Sequence, residues 1–207
     1  MKYLKLIVLL ITLIICAACG TRVIDLSEGT VDNISYKETE EVSNFIKIET
    51  NQNEVIIIEL YPEIAPITVE NFQKLVSENF YDGTRFHRVI AGFMIQTGIS
   101  ANDVQADTIK GEFTDNGIEN NLLHERGVIS MARMGHDMDS ASSQFFIMHE
   151  NSSSLDGSYA AFGKVIAGMA VVDRIANVRV EPDSMSGEPR PVVTQIIRSI
   201  RFVTIEE

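Results

Sequence analysis

The sequence has no tryptophan and only two cysteines, Cys16 and Cys19, in 207 residues. Both cysteines lie close to the N-terminus, where neither can cross-link a domain that begins further along the chain, so a disulfide framework is excluded. Basic residues are also scarce: 17 lysines and arginines stand against 29 aspartates and glutamates, which gives a formal charge of -12. Such a surface repels phosphate backbones, and we expect no nucleic-acid partner.

Signature motifs of several enzyme classes are missing as well. The sequence contains no GxSxG elbow, no phosphate-binding GxxxxGK loop, no GxGxxG fingerprint and no paired histidines at metal-ligand spacing. The sequence therefore gives little support for assigning the protein to the common hydrolases, the nucleotide-binding enzymes or the zinc proteases. We expect neither a metal nor a cofactor.

The N-terminal segment has the pattern of a secretory signal. Lys2 and Lys5 precede an apolar run of 13 residues from Leu6 to Ala18. A helix of that length spans about 20 Å, which is short of the roughly 30 Å hydrocarbon core of a bilayer. The pattern thus favours a cleaved signal peptide over a retained transmembrane helix.

Residues 16–20, CAACG, are similar to a bacterial lipobox, in which a cysteine receives diacylglycerol and the chain is cut before it. Cys16 stands where such boxes usually carry leucine, and cleavage before it would place bulky Ile15 at the cut, so Cys19 is the preferred acceptor. We predict a lipoprotein signal peptide over residues 1–18 and a lipidated Cys19. The protein would then lie on the extracytoplasmic face of the cell membrane, and simple secretion is the alternative.

Residues 20–44 contain scattered single apolar side chains, no sustained period and an acidic bias. This composition predicts that residues 19–44 form a flexible acidic tether that begins at the lipidated Cys19. An unstructured leader without a spacer role is the alternative. The folded domain is then expected over residues 45–207.

The domain itself has mainly β-strand patterns. Alternating or β-branched apolar runs predict eight short strands, and Gly-, Asn- or Asp-containing turns separate most of them. Two helices are expected, one capped by Thr68 and one over Met169–Asn177. The absence of a βαβ rhythm indicates an antiparallel barrel or sandwich. The predicted strands are 45–49, 55–60, 86–90, 93–97, 128–132, 144–148, 161–165 and 195–203.

One arginine, Arg88, lies in an unusually apolar strand candidate. Period-two alternation places it on the same face as Phe86, and places Gln144 on the same face as Phe146 in another strand. Two such strands could form an apolar patch that carries one guanidinium and one amide. An arginine that snorkels over the sheet, above aromatic core residues, would give the same pattern.

Four blocks in a fixed order resemble the cyclophilin-type peptidyl-prolyl isomerases, and the resemblance extends from about Phe45 to Phe202. The blocks are FHRVIAGFMIQ at 86–96, GVISMAR at 127–133, SQFFI at 143–147 and LDGSYAAFGKV at 155–165. The resemblance implies a closed eight-stranded antiparallel barrel capped by two α-helices, with a substrate groove on its outer wall. It also implies isomerisation of X-Pro bonds in proline-containing polypeptides, by a protein expected to act as a monomer.

The resemblance also implies roles for individual residues. Arg88 matches the catalytic arginine, and Gln96 and Gln144 match its polar positioners. The remaining positions match residues that line the proline pocket and groove: Phe93, Met94, Ala132, Arg133, Phe146, Leu155 and Tyr159. Because simple alternation puts Phe93 and Met94 on opposite faces, we expect a bend at Gly92.

Several positions depart from the family pattern. Ser154 stands at the family's tryptophan position and Tyr159 at its histidine position, while Arg133 stands where many members have asparagine. The loop over residues 99–110 lacks the usual glycine-rich sequence. Loss of the tryptophan is expected to weaken cyclosporin binding without abolishing catalysis.

The chemistry of the reaction requires one well-placed cation. Twisting an X-Pro bond makes the prolyl nitrogen pyramidal and gives it an acceptor lone pair, so a guanidinium aimed at this atom stabilises the twisted state. Arg88 is the candidate donor, and a second residue such as Gln96 could hold its planar fork. A chaperone-like module that binds proline segments with little catalysis is the alternative.

Overall fold

The computed structural model describes residues 24–206. The predicted signal peptide and the predicted lipidation site at Cys19 lie outside the described residues. Twelve β-strands, two α-helices and two short 3₁₀ turns make up the described part of the chain. The strands are β1 Glu28–Val31, β2 Ile34–Glu38, β3 Phe45–Thr50, β4 Val55–Leu60, β5 Arg88–Ile90, β6 Met94–Thr97, β7 Val128–Met131, β8 Phe145–Met148, β9 Ala161–Ala167, β10 Val180–Pro182, β11 Pro189–Pro191 and β12 Ile197–Glu206. The helices are α1 Pro66–Ser77 and α2 Met169–Ala176, and the 3₁₀ turns are Thr114–Asn116 and Ser153–Leu155.

The mainly β prediction with two helices is confirmed, but the number of strands is not. All eight predicted strands are present, and four more occur within residues 24–206. Ten strands form one antiparallel sheet in the order β1-β2-β12-β3-β4-β9-β7-β8-β6-β5, and β10 and β11 form a separate pair. This order runs from β1 to β5 without joining its two ends, so the predicted closure of the barrel is not confirmed.

The main core lies between the inner face of the sheet and the two helices. Helix α1 buries Val69, Phe72, Leu75 and Val76, the side chains whose helical spacing predicted it. The ring of Phe72 lies 5.1 to 5.3 Å from three other aromatic rings, those of Tyr81, Phe145 and Phe162. These stacked, edge-to-face and tilted contacts fix the helix against the strands.

Helix α1 begins three residues earlier than predicted, because its N-cap is Ala65 and not Thr68. Pro66 starts it, and the backbone N–H groups of Ile67 and Thr68 donate to the carboxylate of Glu112 at 3.0 and 2.7 Å. Thr68 is thus inside the helix and not its N-cap, and its hydroxyl also donates to Glu112. The prediction failed because a carboxylate 44 residues away in the sequence binds the free N–H groups of the first turn.

The prediction of a flexible tether over residues 20–44 is wrong for the part that contains β1 and β2. These strands form a hairpin, and β2 pairs with β12 over Ser35–Glu38. Asp32 and Asn33 have φ values of 48° and 69°, as expected in a two-residue hairpin turn. Tyr36 is 3% exposed in an apolar cluster against the sheet. The domain therefore begins near residue 28 rather than at 45.

A buried lysine connects this N-terminal hairpin to the sheet. The side chain of Lys47 on β3 is fully buried and pairs with Glu38 on β2 and with Glu49 at 3.3 Å. Its ammonium also donates to the Leu26 carbonyl at 2.5 Å and lies 5.8 Å from the ring of Tyr36. Burial, with Glu49 nearby, raises the pKa of Tyr36 to about 12. The charge of Lys47 is thus compensated largely by groups that the N-terminal hairpin supplies.

Candidate functional site

The strand register brings three of the predicted site residues into one row. Arg88 on β5 pairs with Gln96 on β6, and Gln96 pairs with Phe146 on β8. Directly paired residues of an antiparallel sheet project on the same face, so these three side chains share one surface. The intervening Val89, Ile95 and Ile147 project into the main core. The row therefore lies on the outer face of the sheet.

Phe86 does not share this face with Arg88, contrary to the alternation argument. Phe86 is 1% exposed and belongs to the main core. The strand β5 begins only at Arg88, and the preceding residues are irregular. Period-two alternation does not extend across that irregular segment.

The turn between β5 and β6 brings Phe93 and Met94 to the same surface. Gly92 has φ 76°, a left-handed conformation in which glycine is favoured, and the N–H of Phe93 donates to the Ile90 carbonyl at 3.1 Å. Phe93 precedes the first residue of β6, so it is not bound by strand alternation. The expected bend at Gly92 is therefore present.

One outer pocket of about 240 Å³ is lined by nine of the ten predicted catalytic and substrate-binding residues. Its floor is apolar, since Met94 and Phe146 are 1% and 5% exposed. The tenth residue, Gln144, lies beside the pocket and accepts a hydrogen bond of 3.1 Å from the side-chain amide of Gln96. The lining residues are Arg88, Phe93, Met94, Gln96, Ala132, Arg133, Phe146, Leu155 and Tyr159.

Arg133 forms one wall of this pocket. Its guanidinium lies 4.8 Å from the ring centre of Tyr159 and 5.1 Å from that of Phe113. It also donates to the carbonyl groups of Ser158 and Met134, both at 3.0 Å. Stacking between two rings and bonding to the backbone fix this cation in place, so it shapes the wall and orients Tyr159.

The guanidinium of Arg88 is oriented differently from the expectation. Its Nε donates to the carboxylate of Glu188 at 2.5 Å, and its Nη1 lies 3.8 Å from the sulfur of Met94. Gln96, which we expected to hold the guanidinium, bonds to Gln144 instead. Glu188 is a residue that sequence reasoning missed, because it lies 100 residues from Arg88 in a segment without a strand pattern.

A second missed feature lies directly behind the pocket floor. The ring of His124 stacks on Phe146 with 6.0 Å between centres and an angle of 20°. Its Nδ1 lies 3.0 Å from the Asp156 carboxylate and its Nε2 3.0 Å from the Ser130 hydroxyl. Ser130 is fully buried, so this Ser-His-Asp chain cannot reach a substrate and instead supports the aromatic floor.

Burial dominates the protonation of two histidines near the site. It lowers the pKa of His124, although the hydrogen bond and charge of Asp156 act in the opposite direction. Burial also lowers the pKa of His87, against a hydrogen bond to the Arg85 backbone. Both rings are therefore neutral near pH 7. His87 does not line the pocket of Arg88.

Of the positions that depart from the family pattern, Arg133 and Tyr159 line the pocket, whereas Ser154 and the loop over residues 99–110 do not. Ser154 is exposed on the 3₁₀ turn Ser153–Leu155, next to Leu155 in the pocket wall. The loop over residues 99–110 begins with Ile99, Ser100 and Ala101, which line a neighbouring pocket of about 170 Å³. A larger pocket of about 380 Å³ lies beside Thr39 and Asn79. The pocket of Arg88 is distinguished by its chemistry and not by its size.

Within residues 24–206, no three His, Cys, Asp or Glu side chains are grouped closely enough to hold a metal ion. In the same part of the chain, no helix is both long and apolar enough to cross a lipid bilayer.

The outer pocket combines an apolar floor with two fixed guanidinium groups, those of Arg88 and Arg133. This arrangement suits a ligand with a compact apolar ring and neighbouring polar backbone atoms.

Comparison with known proteins identifies the same family that the four sequence blocks resemble. A family model described as "Cyclophilin type peptidyl-prolyl cis-trans isomerase/CLD" matches residues 45–201. A peptidyl-prolyl cis-trans isomerase of Acinetobacter baylyi is 42% identical over 163 residues, which cover 76% of this chain and 84% of the relative. Peptidyl-prolyl cis-trans isomerase B of Bacillus subtilis is 45% identical over 125 residues, covering 59% of this chain and 83% of the relative.

The structural comparison agrees. A cyclophilin type peptidyl-prolyl cis-trans isomerase of Cryptosporidium parvum, crystallised in the presence of the dipeptide Ala-Pro, has a TM-score of 0.65 and 27% sequence identity. The match covers 76% of this chain and 98% of that structure.

Proposed function

Because the chain belongs to the cyclophilin-type peptidyl-prolyl cis-trans isomerases and is an enzyme of that type, we propose that it isomerises X-Pro bonds in extracytoplasmic proteins and so assists their folding. The observation that carries the assignment of the site is the pocket that places Arg88 beside the apolar floor of Met94 and Phe146. The floor receives the proline ring, and the guanidinium lies at its margin.

Arg88 supplies the stabilisation of the twisted bond. Resonance across the C–N bond creates a barrier of about 18 to 20 kcal/mol, and this resonance is lost when the bond twists. The prolyl nitrogen then gains a lone pair that a guanidinium N–H binds more strongly than in the planar ground state. The reaction thus needs no nucleophile and no transfer of a proton to the enzyme.

The required acceleration is within the range of such a site. Uncatalysed exchange takes about 10 to 100 s, so a turnover near 10³ s⁻¹ requires roughly 10⁴- to 10⁵-fold acceleration, or about 5.5 to 7 kcal/mol. A partly desolvated, charge-assisted hydrogen bond and a pocket that holds the ring in place together account for that amount.

The substrates we propose are proline-containing polypeptides held mainly through their backbone, by a monomeric enzyme. Gln96 and Gln144, which bond to each other, place amide groups beside the pocket, where they serve the peptide backbone. Apart from the proline ring, the pocket offers little that selects one side chain. Broad specificity suits an enzyme that acts on many unfolded chains.

The location outside the cytoplasm rests on the N-terminal sequence. Lys2 and Lys5, the apolar run and the CAACG segment support a signal peptide over residues 1–18 and a lipid-modified Cys19. We place the enzyme on the outer face of the cytoplasmic membrane, where secreted chains emerge unfolded.

An exchange assay tests the catalytic part of this proposal. Two-dimensional exchange NMR on a short peptide with one X-Pro bond measures cis/trans interconversion with and without the protein. We expect strong acceleration at a catalytic concentration of the protein. Saturable binding of the peptide without acceleration would instead identify a chaperone-like binding module.

A further inference from the structure

Glu188 is the carboxylate that contacts the catalytic guanidinium. Its Oε2 accepts a hydrogen bond of 2.5 Å from Nε of Arg88, across 100 residues of sequence. The two side chains are 27% and 47% exposed. The contact therefore lies at the margin of the pocket, where water screens much of the attraction between the two charges.

The turn that carries Glu188 is well ordered by its own hydrogen bonds. Asp183 Oδ1 accepts the backbone N–H groups of Met185 and Ser186, both at 3.0 Å, and these bonds lower the pKa of Asp183. The backbone N–H of Asp183 donates to the Glu188 carbonyl at 2.8 Å, which closes the β10–β11 hairpin. Pro189 follows immediately and restricts the backbone after Glu188. The carboxylate is thus presented from a defined position.

The hairpin also lies against the strand that carries Arg88, since β11 packs beside β5. Within the hairpin, Arg190 pairs with Glu181 at 2.8 Å and with Asp183 at 3.7 Å, and neither ion pair involves Arg88. The hairpin therefore packs against β5, and Glu188 is its residue that contacts Arg88.

The geometry of the contact favours a role in orientation. Glu188 holds Arg88 at Nε, while Nη1 lies on the pocket side, 3.8 Å from the sulfur of Met94. Gln96 on the neighbouring strand is bonded to Gln144 and does not provide this support. A long arginine side chain has many rotamers, and a carboxylate at its Nε selects those that direct the Nη groups towards the pocket.

We infer that Glu188 is a positioning residue for the isomerisation: it fixes the guanidinium of Arg88 so that the Nη groups face the prolyl nitrogen. The inference rests on the role proposed above for Arg88. A group that acts through orientation of a transition-state donor contributes to kcat, whereas a group that binds the peptide contributes to KM.

Three variants test this role in the same exchange assay. For Glu188→Ala we expect kcat to fall about fivefold with KM changed by less than about twofold. For Glu188→Gln we expect most of the rate to return, because the amide oxygen accepts the same bond from Nε. Glu181→Ala is the matched control, since it breaks an ion pair of the hairpin that does not involve Arg88, and we expect it to leave kcat unchanged.

The NMR signal of the Arg88 Nε–H group gives a readout that does not depend on activity. In the wild type and in Glu188→Gln we expect a hydrogen-bonded signal that exchanges slowly with water. In Glu188→Ala we expect the signal to shift and to exchange faster, while Glu181→Ala leaves it in place.

The other outcomes would overturn the inference. An unchanged kcat in Glu188→Ala would show that the contact is only a surface ion pair. A higher kcat would show that the contact with Glu188 inhibits the reaction. Equal losses in Glu188→Ala and Glu181→Ala would trace the effect to folding of the hairpin. If the wild type itself is inactive, the mechanism proposed for Arg88 fails, and the Nε signal still decides whether Glu188 orients the side chain.

Discussion

At the scale of single residues, Arg88 combines the catalytic role proposed above with a small contribution to folding. Its partner Glu188 is 47% exposed, and ion pairs of this kind contribute about 0 to 1 kcal/mol to stability. We therefore expect Arg88→Ala to lower kcat/KM by about tenfold or more while the free energy of unfolding changes little. Exchange NMR and urea denaturation of the same samples measure the two effects.

Arg85→Ala is the control for this experiment, because Arg85 is an exposed arginine three positions earlier that does not line the pocket of Arg88. We expect it to leave the rate unchanged. Undiminished activity of Arg88→Ala would contradict the mechanism. A variant that fails to fold would instead favour the interpretation of Arg88 as a snorkelling wall residue.

Ser154 provides a prediction about ligand affinity. It is exposed on the turn beside Leu155, where it offers neither an indole donor nor aromatic area. We expect Ser154→Trp to bind cyclosporin about tenfold more tightly than the wild type, because partial burial of an indole contributes about 1.4 kcal/mol. Calorimetric titration measures this, and Ser153→Trp on the same turn is the control. If Ser154→Trp and the wild type bind cyclosporin with equal affinity, position 154 does not face the ligand.

His124 predicts how stability depends on pH. Burial lowers its pKa, so the folded chain binds a proton less readily than the unfolded chain, whose histidines titrate near 6.5. The free energy of unfolding should therefore fall as the pH decreases through about 6.5, and level off below the lowered pKa of the folded state. His87, whose pKa is lowered in the same direction, adds to this slope.

Urea denaturation between pH 8 and 5 measures the effect. We expect His124→Gln to lower stability but to reduce the slope with pH. Asn120→Ser is the control, because Asn120 donates two buried hydrogen bonds, to the carbonyls of Glu112 and Ala161, and does not titrate. If His124→Gln keeps the full slope, the pH dependence arises elsewhere.

The residues of the pocket were largely predictable, and their partners were not. The four sequence blocks carry nine residues that the structure brings to one surface. Glu188, by contrast, reaches Arg88 from a hairpin 100 residues away, and Asp156 reaches His124 across 32 residues. A local pattern contains no information about such contacts, because tertiary folding alone creates them.

At the scale of elements, the N-terminal hairpin β1–β2 extends the sheet at the end opposite to β5. It supplies Glu38 and the Tyr36 ring to the buried Lys47. Loss of partners from a buried charge costs about 3 kcal/mol or more, which lowers the Tm by roughly 6 to 12 °C in a domain of this size. We therefore expect a chain that begins at residue 42 to melt at a correspondingly lower temperature.

Calorimetry of that truncated chain beside one that begins at residue 24 measures this difference. We expect isomerase activity of the folded fraction to be equal in both, since the hairpin does not line the pocket of Arg88. An unchanged Tm would show that the hairpin is only peripherally attached. The comparison also tests whether the domain boundary lies near residue 28, as the strand pairing indicates.

The elements that sequence patterns missed have weak local signals for physical reasons. The strands β1 and β2 have four and five residues, and their few apolar side chains pack only against β12 and its neighbours. The strands β10 and β11 contain prolines, which argue against a strand because they cannot donate to a ladder. The eight longer or more apolar strands were predictable because their own residues form the core.

At the scale of the whole molecule, the early start of the domain changes the geometry of anchoring. A domain that begins at Glu28 leaves residues 20–27 between it and Cys19. A fully extended chain of that length spans at most about 26 to 29 Å. If Cys19 is lipidated, the domain must therefore stay close to the membrane surface, near chains that emerge from it.

Electrostatic attraction does not hold the protein at the membrane surface. The chain has a formal charge of -12, and removal of Lys2 and Lys5 with a signal peptide makes it more negative, so anionic lipids repel it. Stable attachment then requires two or more acyl chains at about 0.8 kcal/mol per buried CH₂, as diacylglycerol and an N-terminal acyl group on Cys19 would provide.

We expect Cys19→Ser to abolish lipid attachment and normal processing, and Cys16→Ser to preserve both. Mass spectrometry of the mature N-terminus decides this: an unmodified Cys19, or an uncleaved N-terminal segment, would contradict the anchor while leaving the isomerase assignment intact.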